Sequence, residues 1–217
     1  AHGKVVFAAK MEVSGPLGQP QISRLMRPAD ALGTNVPFGV TEFPIDTDRT
    51  IRRHHADVNQ TGFAWRVAEI LGQAPPDRTR RRWMNYYGPK GAIPHVSYAQ
   101  VLATNALRLD FFTHKVVFVG VSPILTYQGS SSADEHATPY TRWTGSFSPG
   151  VELQATAFLN LIQREWLEEL SPVTELLLLI FLGSAAGYGC GVARPWVAAR
   201  WSLLGMSLIT AGAIHGV

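Results

Sequence analysis

Apolar residues are distributed along this chain in two ways. Up to residue 172 they recur with short periods between Gly- and Pro-rich breaks; beyond it they run almost without interruption. KVVFAA, residues 4–9, is β-branched and aromatic with no helical period, which predicts a buried strand in the middle of a sheet. Residues 14–45 hold Gly15, Pro16, Gly18, Pro20, Pro28, Gly33, Pro37, Gly39 and Pro44, so turns with little regular structure are expected there. GFAWRVAEIL, residues 62–71, puts Phe63, Ala64, Val67, Ala68 and Leu71 on one helical face, with Thr61 as cap and Gly72 as stop. WMNYY, residues 83–87, predicts a strand closed by Gly88 and Pro89. Ser97 then caps a helix to about Leu109, with Val101, Leu102, Ala106 and Leu109 inward. KVVFV, residues 115–119, gives the clearest strand signal, and residues 150–166 form a helix aligning Leu153, Ala157, Leu161 and Ile162. Alternating strands and helices predict an α/β fold: a mixed, partly parallel sheet flanked by helices.

After residue 172 the pattern predicts two transmembrane helices. Residues 173–193 comprise 21 positions with one charge, Glu175, at the start. At 1.5 Å per residue they extend about 31 Å, enough to cross a bilayer core. Residues 201–217, 17 in all, read as a second, shortened span whose one ionisable group is His215. A soluble helical hairpin would carry a polar stripe, and neither run has one. The loop 194–200 holds Arg194 and Arg200 and no acid, as cytoplasmic loops do, which predicts that residues 1–172 lie outside the cytoplasm. Gly183, Gly187 and Gly191 share a face, and Gly212 and Gly216 repeat the spacing. Such spacing permits close helix contact in a bundle or homodimer, or reflects the general frequency of glycine in membrane helices.

With 217 residues, the part before the spans suits one domain of ordinary size. Its opening at Ala1, directly before an apolar strand, leads us to expect that the natural N-terminus lies upstream. The single Cys190 falls within the first span, so the outer domain has no disulfide, which suits a bacterial envelope protein. Net charge is +3, and Arg78, Arg80, Arg81 and Arg82 form the main cluster. Without interleaved stacking aromatics this reads as a solvated or membrane-facing surface, and no nucleic-acid partner is expected.

Candidate chemistry is sparse. Asp46 and Asp48 could face a hard cation, but the remaining ligands of a calcium loop are missing, so they are read as bracing a turn and pairing with Arg52. His54, His55 and Asp57 lack a suitable spacing for zinc, since adjacent side chains of an extended chain point oppositely. Gly120, Val121 and Ser122 follow a strand signal, yet Ile124 stands where a nucleophile elbow needs glycine, and no Gly-Lys-Ser or Gly-Lys-Thr follows. No catalytic residue, metal or cofactor is therefore assigned. The stretch 121–149 is long, polar and aromatic. It is either a binding element, with Gly120, Ser122, Asp134, His136 and Thr138 beyond the carboxyl end of a strand, or a flap covering the sheet.

Taken together, FPIDTDRTIRR (43–53), MNYYGPKGAIPHVSYAQVL (84–102), KVVFVGVS (115–122) and SPGVELQATAFLNLIQREWLEELSP (148–172) resemble the second type of CHASE domain, the extracellular sensory module of bacterial cyclases and histidine kinases. The resemblance spans most of residues 1–172 and marks Asp46, Asp48, Arg52, Pro149, Gly150 and Glu152 as motif positions. Arg49 stands where the family usually has Gly, and Gln154 where His is common. It implies an N-terminal membrane helix before this chain and a cyclase, histidine kinase or Ser/Thr kinase after the spans. The expected function is extracytoplasmic signal sensing in a dimeric receptor, with an unidentified small molecule or envelope signal as ligand. The alternatives are a membrane-tethered α/β envelope enzyme and a structural scaffold. The helix at 150–166, six residues before the first span, is the expected transmission element.

Overall fold

The computed structural model describes residues 4–14, 22–28, 36–103, 110–121, 134–168 and 170–192. Two compact units divide the chain at residue 168.

In the first unit, strand β1 (Phe7–Ser14) lies between β2 (Ile22–Met26) and β3 (Phe38–Val40). It pairs antiparallel with β2 and parallel with β3, with Ala8 opposite Gly39. The sheet is thus mixed and partly parallel, with β1 central as expected. The apolar run enters the ladder later than its sequence suggests: Val5 is 57 % exposed, whereas Ala9 is buried. Two strands within residues 14–45 correct the expectation of little regular structure there. The prolines fall outside both, where no ladder donor is lost.

Helix α1 (Phe63–Ile70) buries Ala64, Trp65 and Ala68 and packs on β3 and on α4 (Gly150–Gln163). Gly39 of β3 makes this approach possible, because a Cβ there would lie 2.5 Å from the Phe63 Cα. Gly62, not Thr61, is the N-cap, and no side chain caps it; Thr61 Oγ1 instead accepts from Arg78 Nη1 at 2.5 Å. Gly72 turns the chain at φ +71. The core joins α1 to α4 through Trp65, Ala68, Leu153, Ala157, Phe158 and Leu161, with Ile51 and Met84 from the intervening segments. Burying such a stripe is the main force holding a helix in place.

Three further expectations are corrected. KVVFV forms no ladder among the described residues: Val116, Val117 and Val119 are exposed, and Phe118 alone turns inward, 5.9 Å from Phe63 and 5.4 Å from Phe158 between ring centroids. WMNYY is extended but makes only isolated bridges, Trp83 with Arg53 and with Leu167. The helix after Ser97 is α2 (Tyr98–Leu102), closed at Ala103, with Val101 and Leu102 exposed. Ser97 does cap it, through a reciprocal bond with Gln100. Residues 104–109, with Ala106 and Leu109, lie outside the described residues.

Strand β4 (Glu135–His136) pairs antiparallel with β5 (Ser148–Pro149), and the short α3 (Thr141–Thr144) lies between them. Helix α4 ends at Gln163, short of Trp166, because Arg164 takes a left-handed conformation at φ 59. The second unit contains α5 (Pro172–Val192), 21 residues long. Its window 172–189 has mean hydropathy 1.4, so this one described helix is long and apolar enough to cross a membrane. The second expected span, 201–217, lies outside the described residues.

Candidate functional site

The start of α4 gathers most of the predicted site. Pro149 is its N-cap, extended at φ −69 and ψ 148, a φ that the pyrrolidine ring fixes. Gly150 N donates to the Asp134 carbonyl at 3.0 Å, and a Cβ on Gly150 would meet Asp134 Oδ1 at 2.6 Å and His136 Nε2 at 3.5 Å. A β-carbon there would push the half-exposed Asp134 carboxylate aside, so glycine lets the helix end and the carboxylate sit in close contact. Asp134 and His136 lie 4.0 Å apart. Burial holds the His136 pKa below its ordinary value, while the Asp134 charge opposes the shift. Gly120 approaches the same helix end at Val151, where an added Cβ would be 2.6 Å from the valine Cβ.

Glu152 serves a different partner. Its carboxylate accepts from Gly91 N at 2.8 Å and from Ile93 N at 3.3 Å, tying the loop after Tyr87 to the helix start. That loop also brings Lys90 to Glu135, 3.3 Å away, whose side chain is 1 % exposed. Glu135 Oε2 is buried without a partner. Thr138 is buried and turned into the α3 turn: its N donates to Thr141 Oγ1 at 2.9 Å. Of the five candidate ligand residues, the structure therefore gathers Gly120, Asp134 and His136 around Gly150 and Val151, and directs Thr138 elsewhere. Ser122 lies outside the described residues.

The Asp46–Arg52 motif is a separate ion-paired turn. Arg52 reaches Asp46 at 3.1 Å and Asp48 at 2.7 Å, and Arg53 reaches Asp46 at 3.2 Å. The hydrogen bond from Arg52 holds the Asp48 carboxyl well below the usual carboxylate range. Arg49 occupies the turn at φ 64, a left-handed position favouring glycine. Backbone links this turn to the α4 site, since Ile51 N donates to the Ala137 carbonyl at 2.9 Å.

Other polar residues in the interior carry signals missed in the sequence. Asn160, fully buried, lies seven positions after Leu153 on the core stripe of α4, where a polar residue is the signal. Gln154 donates to the Thr41 carbonyl at 2.8 Å, fastening α4 to the chain just after β3. The arginine cluster is not uniformly solvated: Arg81 is exposed, but Arg82 is 3 % exposed, stacked between Trp65 and Trp166 at 5.3 and 4.7 Å. His54 and His55 diverge. His54 is buried in the core, and His55 Nδ1 lies 3.0 Å from the Glu42 carbonyl.

Two cavities border these groups, one against His54, His55 and Trp65, the other against Tyr86, Glu152 and Thr156, each of about 10 Å³. Either has room for one water and neither for a small-molecule ligand.

The described residues thus combine a mixed α/β domain, whose polar contacts pin loops to α4, with an apolar helix long enough to cross a membrane. The CHASE2 domain model matches residues 5–188, and the chain belongs to that family. Its members are sensory rather than catalytic domains, found outside the cytoplasm in membrane receptors with cyclase or kinase outputs. Neither a curated protein nor a solved structure matches the chain.

Proposed function

We propose that this chain is the extracytoplasmic signal-sensing input of a bacterial transmembrane receptor that regulates a cytoplasmic nucleotide cyclase, histidine kinase or Ser/Thr kinase. Residues 1–172 form the sensor, 173–193 a transmembrane helix, 194–200 a cytoplasmic loop and 201–217 a second transmembrane helix, in a homodimer. The observation that carries this reading is the family match, which runs from the first strand into the apolar helix α5. The signal, a small molecule or an envelope component, engages the surface at the start of α4 formed by Gly120, Asp134 and His136, with Ser122 and Thr138 on the adjoining segments.

Orientation is tested by labelling intact cells with a membrane-impermeant maleimide in a Cys190→Ser background. Arg81→Cys is expected to react and Val197→Cys to react only after permeabilisation. Labelling of Val197→Cys from outside would overturn the arrangement. For the signal site, Asp134→Ala with His136→Ala is expected to abolish the signal response of the full receptor with an unchanged melting temperature. A response equal to that of the parent removes the site.

A further inference from the structure

The polypeptide leaves its folded domain through Trp166, Leu167 and Glu168, and residues 169–171 alone separate Glu168 from the start of α5. These three residues are held by polar and π contacts more than by apolar burial. Trp83 N donates to the Leu167 carbonyl at 2.9 Å and Leu167 N to the Trp83 carbonyl at 3.0 Å. Glu168 accepts from Arg80 Nη2 at 2.9 Å and from Trp166 Nε1 at 3.2 Å. Leu167 as a whole remains 52 % exposed.

Beneath them lies Arg82. Its Nη1 donates to the Arg80 carbonyl at 3.1 Å, its Nε is buried without a partner, and no carboxylate lies within ion-pair distance among the described residues. Asp77 and Glu168 favour its charge from beyond ion-pair distance, and a buried guanidinium so weakly compensated is costly unless π faces replace its lost hydration. Trp65, from the core helix α1, supplies one face and Trp166 the other. If the exit segment lifts away, Arg82 loses the Trp166 face but regains water. Opening this segment is thus expected to cost less than opening the α1–α4 core, which would expose Leu153, Phe158 and Leu161.

We propose that residues 166–168 form a latch, closed by Arg82 between Trp65 and Trp166, that opens as a local unit while the α1–α4 core stays folded and so sets the state in which the chain enters α5. The bearing of the latch on α5 rests on the sensory reading above; its local opening does not.

Native-state hydrogen exchange on the whole chain in lipid nanodiscs tests this without any ligand or output domain. The Trp83 and Leu167 amides are expected to exchange through an opening that leaves Leu161 protected. Trp166→Leu, which keeps apolar bulk and loses the π face, should speed their exchange about 30-fold, whereas Trp166→Phe, which keeps a weaker face, should speed it only about 3-fold. Glu168→Ala, at an exposed position, should speed it about 3-fold through the lost ion pair. Equal effects of Leu and Phe would mean that burial alone holds the segment and would overturn the role of Arg82. Exchange of Leu167 only together with Leu161 would overturn the latch itself. Neither result bears on the sensory reading, which the labelling and response experiments address.

Discussion

The side chain of Asn160 satisfies both peptide groups of Asn85. Its Oδ1 accepts from Asn85 N at 2.7 Å, and its Nδ2 donates to the Asn85 carbonyl at 2.9 Å. An amide side chain from a helix thereby takes the place of a neighbouring strand, and Nδ2 also donates to the Tyr87 hydroxyl at 3.1 Å. Replacing Asn160 by Leu fits the apolar stripe but strands these groups. A loss of about 3 kcal/mol is expected in denaturant melts, since an abandoned buried donor and acceptor each cost more than a hydrogen bond gains.

Arg49 is exposed and left-handed, at φ 64. A β-carbon is unfavourable in that conformation, so Arg49→Gly is expected to raise stability by about 1 kcal/mol, read as an increased denaturation midpoint with an unchanged slope.

Gly39 and Phe63 define the closest approach of sheet and helix. Because an added Cβ would press on the Phe63 backbone, at 2.5 Å from Cα and 2.8 Å from N, no rotamer change relieves it. Gly39→Ala is expected to cost about 3 kcal/mol. Gly91→Ala meets no atom within 4 Å, but its φ of +89 adds backbone strain instead, so a smaller loss is expected there.

His54 predicts a pH dependence. Burial pushes its pKa down to about 4, an effect that the charge of Arg82 reinforces and the neighbouring Asn160 side chain opposes. Between that value and about 6.5 the unfolded chain binds a proton that the folded chain refuses, so stability falls as the pH drops through this window, by up to about 3 kcal/mol. Melts between pH 7 and pH 4 should show this loss, and His54→Leu should flatten it. His136, also held low by burial, contributes in the same sense and leaves a residual slope.

Elements whose signal is local were read correctly from the residues. The stripe of Leu153, Ala157 and Leu161 foretells the buried face of α4, and Ser97 foretells the cap of α2, though not its early end at Leu102. At the site, the resemblance singled out Gly150 and Glu152, while their different partners, Asp134 with His136 and the loop at Gly91, emerged only in three dimensions. From the sequence Arg82 reads as part of a solvated surface, and the contacts of Gln154 and Asn160 stay hidden, because nothing near them in sequence supplies what compensates their burial.

By itself the sequence determined which segments are apolar enough to be buried or to span a membrane, because periodicity and run length depend on neighbouring residues alone. It determined the family as well. Only the tertiary structure decided that KVVFV stays outside any ladder of the described residues, since β-branched character needs a partner strand to become a sheet. It likewise decided that one arginine of four is sealed between two tryptophans and that an asparagine acts as a strand. Desolvation and its compensation are properties of what surrounds a group, and for Arg82 and Asn160 those surroundings come from distant parts of the chain.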